Sequence, residues 1–240
     1  MSIPLWLLIL VAAPGVILSV LAARFVWNIL KDRRSRTGLS RFGREYDLKA
    51  EPGGIWQPPP ECLHMDLFRD GVYREALNVM RGHVSGRPVM VFDYRFTTDP
   101  AERRHTRRYQ VALIEVPIQA PRLAMRPERF RDVLARWANF ENTEFESEEF
   151  NRRFRVQCED RRFAFDVFHP RMLQCCLDHE RMPAVEMEGP FLVLYDGPFP
   201  PEQTGDPRVA RRLLDIGRDI VQSLPSYVRH DRASAAPPHW

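Results

Sequence analysis

Apolar residues fill the start of the chain almost without interruption, and this pattern predicts a membrane-spanning helix. Residues 1–23 contain no charged side chain, and the apolar run continues beyond Arg24 to Leu30. A helix needs roughly 20 apolar residues to cross the ~30 Å hydrocarbon layer of a bilayer. A cleavable signal peptide has a shorter apolar stretch, about 7–15 residues, after a basic N-terminus. We therefore predict an uncleaved anchor over residues 1–30.

Basic residues follow the apolar run at once and set its predicted orientation. Residues 24–44 hold seven Lys or Arg and one Asp, a net charge of +6. Because Lys- and Arg-rich flanks stay in the cytoplasm, we expect a single-pass protein of the inner membrane with its N-terminus outside. Trp rings and extended Arg stems favour the head-group region. The residues expected at this interface are Trp6, Arg24, Trp27, Lys31, Arg33, Arg34 and Arg36.

The chain changes character twice after the anchor. Residues 31–62 mix charges with Gly and Pro, including three consecutive prolines at 58–60, which is typical of a stiff juxtamembrane linker. Residues 63–229 have a globular pattern long enough for one buried core. Residues 230–240 are predicted to be a disordered tail.

Periodicity within residues 63–229 predicts an α+β domain with a mainly antiparallel sheet. Residues 65–80 have helical or irregular character, and residues 82–88 carry turn residues. The predicted strands are 89–96 and 108–118, paired as a hairpin with a long charged tip, an alternating segment at 150–158, and two strands within 184–195 around Gly189-Pro190. The predicted helices begin at Pro127, at Asp160, at His169-Pro170 and at Asp206-Pro207, the last ending at Pro225.

The charge distribution argues against a nucleic-acid binder, and the cysteine content indicates the cellular compartment. The whole chain has a formal charge of +3, so removing the +6 of residues 24–44 leaves −3 for residues 45–240. A nucleic-acid binder needs a basic domain, and this one is acidic. The basic flank is instead expected to contact anionic lipid. The four cysteines include an adjacent pair and suit a reducing compartment.

Two residue groups have the side-chain types of a metal or catalytic site, but their spacing favours other roles, and we predict no catalytic residue, no cofactor and no metal. Cys175 and His179 can share one helix face, but Cys176 points about 100° away, so buried structural cysteines are favoured. The acidic run from Glu141 to Glu149 has arginine neighbours and favours a solvated loop. A functional role for either group is left open. The chain also contains no Walker-type loop, G-x-G-x-x-G, H-E-x-x-H or C-x-x-C motif.

One stretch carries a resemblance. Residues 149–156 read EFNRRFRV, followed by Asp160, Ala164 and the turn His169-Pro170-Arg171-Met172. This pattern resembles a group of bacterial membrane-anchored proteins with a domain of unknown function. The resemblance implies an anchored cytoplasmic domain, and it brings no activity, cofactor or catalytic residue.

Three functions remain open. The leading hypothesis is a membrane-anchored scaffold or accessory protein whose cytoplasmic domain binds an unknown protein partner, in an oligomeric state that the sequence leaves open. The second is a tethered hydrolase whose site is assembled from Asp93, Asp160, His169 and Glu186. The third is a module that binds anionic lipid head groups through its juxtamembrane arginines.

Overall fold

A six-stranded antiparallel sheet lies at the centre of the computed structural model, which describes residues 41–51, 57–58, 60–98, 106–130, 142–200 and 203–231. The strands are β1 (Leu48–Ala50), β2 (Val72–Val84), β3 (Arg87–Thr97), β4 (Thr106–Pro127), β5 (Phe154–Cys158) and β6 (Ala184–Asp196). The helices are α1 (Asp66–Arg69), α2 (Glu148–Arg153), α3 (Arg161–Val167), α4 (Pro170–Asp178), α5 (Pro207–Ser223) and α6 (Ser226–Asp231). Residues 41–45 are also helical, and Pro60–Cys62 form a 3-10 turn.

The long strand β4 organises the sheet. Its first half pairs with β3, from Thr97↔Thr106 to Val89↔Ile114, and its last five residues pair with β5. Strand β6 pairs with β4 over Gln110↔Asp196 to Met125↔Val185, so β6 lies on the opposite edge of β4 from β3 and β5. On the edge of β3 that faces away from β4, the sheet continues through β2 to β1.

The sheet separates two cores, because successive side chains of a strand point to opposite faces. One core lies under α2 to α6 and includes Val91, Ile114 and Leu194. The other lies under residues 60–69 and includes Phe92, Tyr94 and Tyr195. Helix α5 approaches the sheet closely at Gly217, where an added Cβ would lie 2.3 Å from Ile114 Cδ1. Thus both faces of the sheet are covered.

Several predicted features are confirmed. The domain is α+β with an antiparallel sheet, and the β3–β4 hairpin forms as expected. Asp160 caps α3, accepting a hydrogen bond from the Phe163 N–H at 3.2 Å. The cap at Asp206 is also present, since its carboxylate accepts from the Arg208 N–H at 2.8 Å. Within the described residues no helix is both long and apolar enough to cross a bilayer, and the predicted anchor at 1–30 lies outside them.

Other expectations were wrong. Residues 66–69 form the short helix α1, but residues 72–80 belong to strand β2 instead of a helical or irregular segment, with register shifts near Tyr73 and Asn78, which both have φ of 52°. Pro127 is the last residue of β4 and a 3-10 turn follows at 128–130, while the rest of the helix predicted after Pro127 lies outside the described residues. Residues 184–196 are one strand with an irregularity at Gly189, whose φ is 58°.

The edges of the folded domain also differ from the expected ones. The buried side chains of Phe42 and Leu48 belong to the helix-covered core, and β1 pairs with β2, so the fold reaches upstream of residue 63. Residues 148–153 form helix α2, and only 154–158 of the alternating segment form a strand. Helix α6 extends to Asp231, into the first residues of the expected tail.

Candidate functional site

The predicted membrane-interface residues cannot be placed, because they all lie outside the described part of the chain. This applies to Trp6, Arg24, Trp27, Lys31, Arg33, Arg34 and Arg36, and to the Glu141 end of the acidic run. The other end of that run starts α2, where the Ser147 hydroxyl accepts a hydrogen bond from the Phe150 N–H at 3.2 Å. Glu149 and Arg153 form an ion pair at 3.7 Å on the same helix.

The four polar residues of the hydrolase hypothesis have separate local contacts. Asp93 on β3 accepts hydrogen bonds from Asn78 Nδ2 at 2.7 Å and from the Gly205 N–H at 3.0 Å. Asp160 caps α3, and His169 Nε2 donates to the carbonyl of Ser223, the last residue of α5, at 2.9 Å. Glu186 belongs to a different network in the other core. Each contact has a structural role of its own.

That network surrounds Arg126, whose side chain is 1% exposed. Its Nη2 donates to Asp66 Oδ2 at 2.7 Å and to Glu186 Oε1 at 2.9 Å. The Tyr195 hydroxyl also donates to Glu186 Oε1, at 2.8 Å. Arg122 forms a further ion pair with Asp66. Burial raises the pKa of Glu186, while Arg126 acts in the opposite direction. The arginines and carboxylates of this network pair with one another, and Arg122 also lies 4.0 Å from Glu188, which is the arrangement of a structural ion cluster.

A second ion cluster surrounds the fully buried carboxylate of Asp196. Arg129 Nη2 lies 3.2 Å from its Oδ1, Arg181 Nε lies 3.0 Å from its Oδ2, and Arg212 also pairs with it. The Gly197 N–H donates to Oδ1 at 2.9 Å. These contacts join the end of β6 to α5 and to the segments before β6 and after β4, so they hold the sheet and helices together.

A pocket of about 240 Å³ lies between the β2–β3 turn and α5. Its walls are mainly apolar, with Arg87 and Arg218 among the polar lining residues. The turn itself is tight, because Ser85 and Gly86 both have positive φ, at 55° and 77°. None of Asp93, Asp160, His169 or Glu186 lines this pocket.

Exposed aromatic residues mark a different surface. The large apolar side chains that are exposed in the described residues are Val72, Tyr73, Phe165 and Tyr227. Phe165 on α3 is 42% exposed and Tyr227 on α6 is 50% exposed. The Tyr227 hydroxyl donates to Asp166 Oδ1 at 3.0 Å, which brings α3 and α6 together at this point. Two exposed arginines, Arg161 and Arg162, complete the group.

We call these five residues, Arg161, Arg162, Phe165, Asp166 and Tyr227, the aromatic–arginine patch. The Arg161 guanidinium carbon lies 5.7 Å from the centre of the Phe165 ring, within reach of a cation–π contact. Hydrogen bonding to Asp166 is the main cause that raises the pKa of Tyr227, so its hydroxyl stays protonated. The net charge of the patch is therefore +1.

The patch has a rigid base. Phe165 packs against the buried Phe145 ring at 5.2 Å, and Phe145 packs in turn against Phe150 and Phe168 at 5.4 and 5.5 Å. An exposed ring supported by buried rings loses little conformational freedom on binding. Tyr, Trp and Arg carry most binding energy in protein interfaces, and the patch has this composition.

The cysteine and histidine group is placed as the helical spacing predicts. Cys175 and His179 lie four residues apart along α4 and its C-cap, whereas Cys176 is fully buried in the core. Asp219 of α5 joins Cys175 and His179, and one ligand atom from each of the three lies within 4.8 Å of the other two. The sequence spacing gave no sign of the contribution of Asp219.

Comparisons with known proteins bear on the fold. No protein-family model matches the chain, and no curated protein matches it. The fold is similar to the crystal structure of the mycobacterial trehalose monomycolate transport factor A, TtfA, with a TM-score of 0.54. The match covers 80% of this chain and 97% of that chain at 13% sequence identity. At this identity the likeness concerns the fold alone.

Proposed function

We propose that this protein is a membrane-anchored accessory factor whose α+β domain binds a protein partner through the aromatic–arginine patch. The observation that carries the proposal is the exposure of two rings from separate elements, Phe165 and Tyr227, with the Tyr227 hydroxyl bound to Asp166, the residue next to Phe165 on α3. Their inner contacts stabilise the fold, but about half of each ring stays in water, and a docking partner would cover that apolar area.

The charge of the patch indicates the chemistry of the partner. Asp166 is engaged by Tyr227, while Arg161 and Arg162 are exposed. We propose that the partner presents an acidic segment, with a carboxylate against these arginines and an apolar side chain against Phe165. Complementary charge steers such an encounter and sets its orientation.

The place of action follows from the N-terminal pattern. We propose that residues 1–30 anchor the chain in the inner membrane, with the basic flank and the domain in the cytoplasm. A fold shared with a trehalose monomycolate transport factor is compatible with an accessory role at the membrane. The partner is then a membrane protein with an acidic cytoplasmic segment. A reporter fused after Trp240 should be active only inside the cell, and activity outside would refute the orientation.

Affinity isolation of the full-length chain from gently solubilised membranes tests the docking proposal. We compare the wild type with Phe165→Ala/Tyr227→Ala and with Tyr73→Ala, using quantitative mass spectrometry. Tyr73 is the matched control, because it is an aromatic residue on β2 and is 74% exposed. We expect the recovered amount of one membrane protein to fall at least tenfold with the double variant and to be unchanged with the Tyr73 control. Equal recovery of every protein from all three chains would refute the proposal.

The pocket between the β2–β3 turn and α5 favours a second candidate function. Apolar walls with arginines among the lining residues fit an amphiphile with an anionic head group, which extends the lipid hypothesis from the juxtamembrane arginines to the domain. A photoreactive fatty acid in nanodiscs should label residues lining the pocket. The substitution Leu214→Trp, which fills the pocket, should abolish that labelling, and labelling that is unchanged by the substitution would exclude this function.

A further inference from the structure

Three side chains with different ligand atoms converge where α4 meets α5. They are the thiol of Cys175, the imidazole of His179 and the carboxylate of Asp219, all half-buried, with ligand atoms within 4.8 Å of one another. Ligand atoms around a tetrahedral zinc ion lie roughly 3.4–3.6 Å apart, from bond lengths of about 2.0–2.3 Å. Side-chain rotations that move the ligand atoms by about 1 Å therefore suffice to close the group around an ion.

The fold holds the three residues in place. Cys175 and His179 are four residues apart, so they lie on the same side of α4, and Cys175 packs against the core. Arg153 donates to the backbone carbonyls of Leu177 at 2.9 Å and His179 at 3.1 Å, which fixes the end of α4. Asp219 lies on α5, a helix whose inner face is buried against the sheet. The three residues are therefore fixed by the packing of α4 and α5, unlike flexible surface residues that lie close only by chance.

We propose that Cys175, His179 and Asp219 form a binding site for a divalent transition-metal ion of the zinc class. A thiolate and an imidazole suit borderline-soft ions, whereas Ca²⁺ and Mg²⁺ prefer oxygen ligands. A thiolate and a carboxylate together neutralise the charge of Zn²⁺. The C-terminal end of α4 also favours a cation, because the helix dipole is negative there.

Three protein ligands leave the fourth tetrahedral position open to water or to a group from another molecule. Within the described residues, the ion pair that competes for the Asp219 carboxylate is a long one, with Arg218 Nε at 3.9 Å from its Oδ1. An ion pair at this distance on a half-exposed surface contributes little free energy. Binding of the Asp219 carboxylate to a metal ion therefore stabilises more than loss of the contact with Arg218 costs. The site does not depend on the proposed docking function, and each can fail alone.

Titration of the full-length chain in detergent micelles with Zn²⁺ and Co²⁺ tests the site. We expect one ion per chain with micromolar or tighter affinity, and a thiolate-to-cobalt charge-transfer band in the near ultraviolet. Cys175→Ala should abolish that band, and His179→Ala or Asp219→Asn should weaken affinity at least tenfold. Cys176→Ala is the matched control, because this neighbouring thiol is fully buried. It should keep both the band and the affinity.

Alkylation provides a second readout that does not depend on variants. In the wild type, Zn²⁺ should slow the reaction of Cys175 with iodoacetamide at least tenfold, as measured by peptide mass spectrometry. Circular dichroism checks that each variant keeps its fold. The proposal is overturned if no ion binds, if the charge-transfer band survives Cys175→Ala, or if Zn²⁺ leaves the alkylation of Cys175 unchanged.

Discussion

Replacing Arg126 by Met should destabilise the domain strongly, because it leaves buried carboxylates without their main partner. Arg126 is 1% exposed and contacts Asp66 at 2.7 Å and Glu186 at 2.9 Å, whose side chains are 5% and 3% exposed. Removing one partner of a buried ion pair costs about 3–5 kcal/mol, since the remaining charge loses compensation. This is a large part of the roughly 5–15 kcal/mol that holds a typical domain together.

The destabilisation should depend on pH in a defined direction. Burial already raises the pKa of Glu186, and Arg126 is the first of the contacts that oppose this. Without Arg126 the pKa rises further, so the native state of the variant holds a proton that the unfolded chain releases. The loss of unfolding free energy caused by Arg126→Met is then smaller at pH 5 than at pH 8, by about 1.4 kcal/mol for each unit by which the pKa of Glu186 rises further.

Urea unfolding of the full-length chain, followed by far-ultraviolet circular dichroism at pH 5 and pH 8, measures both effects. Arg95→Met is the matched control, because Arg95 pairs with Glu75 at the surface, where its side chain is 37% exposed. That change should cost less than about 1 kcal/mol. Adding Glu186→Gln to the Arg126 variant should remove most of its pH dependence. A loss below about 1 kcal/mol for Arg126→Met, or a loss equal at both pH values, would refute the reasoning.

Three further changes test other parts of the fold. Burial raises the pKa of Asp93 from 3.8 to about 6, although the hydrogen bonds that it accepts act in the opposite direction. Between these pH values the folded chain holds a proton that the unfolded chain has released, so stability falls as the pH rises. The stability of the wild type relative to Asp93→Asn should therefore fall by about 2 kcal/mol from pH 4 to pH 7, and a constant difference would contradict this. Gly217→Ala should cost about 1–3 kcal/mol in chemical unfolding although Ala favours helix, because its Cβ meets Ile114 at 2.3 Å. Asp160→Ala should lower the melting midpoint through a loss of about 1 kcal/mol at the α3 cap, and an unchanged midpoint would show that the cap contributes nothing.

Local patterns predicted the elements whose signals are regular. A run rich in β-branched and aromatic residues indicates β3 and its hairpin with β4, and an Asp-Pro start followed by a 3.6-residue stripe indicates α5. Strand β2 was missed because its two register shifts, near Tyr73 and Asn78, break the alternation that marks a strand. At Gly189 an irregularity within β6 gave the same signal as a turn between two strands.

The functional surface could be predicted only in part, because it depends on contacts between distant segments. Phe163 and Phe165 look alike in the sequence, yet Phe163 is fully buried and Phe165 is exposed. The partner of Asp166 is Tyr227, 61 residues along the chain. Likewise, the spacing of Cys175 and His179 indicated a shared face, but only packing of α5 against α4 brings Asp219 to them.

Photo-crosslinking in living cells tests the docking claim most directly. A photoreactive phenylalanine analogue replaces Phe165 in the full-length chain, and in a second chain it replaces Tyr73. The account predicts one discrete adduct with a membrane protein from position 165, mapped to an acidic segment and lost when Arg161 and Arg162 are both changed to Glu. No adduct from position 165, or the same adduct from position 73, would contradict it.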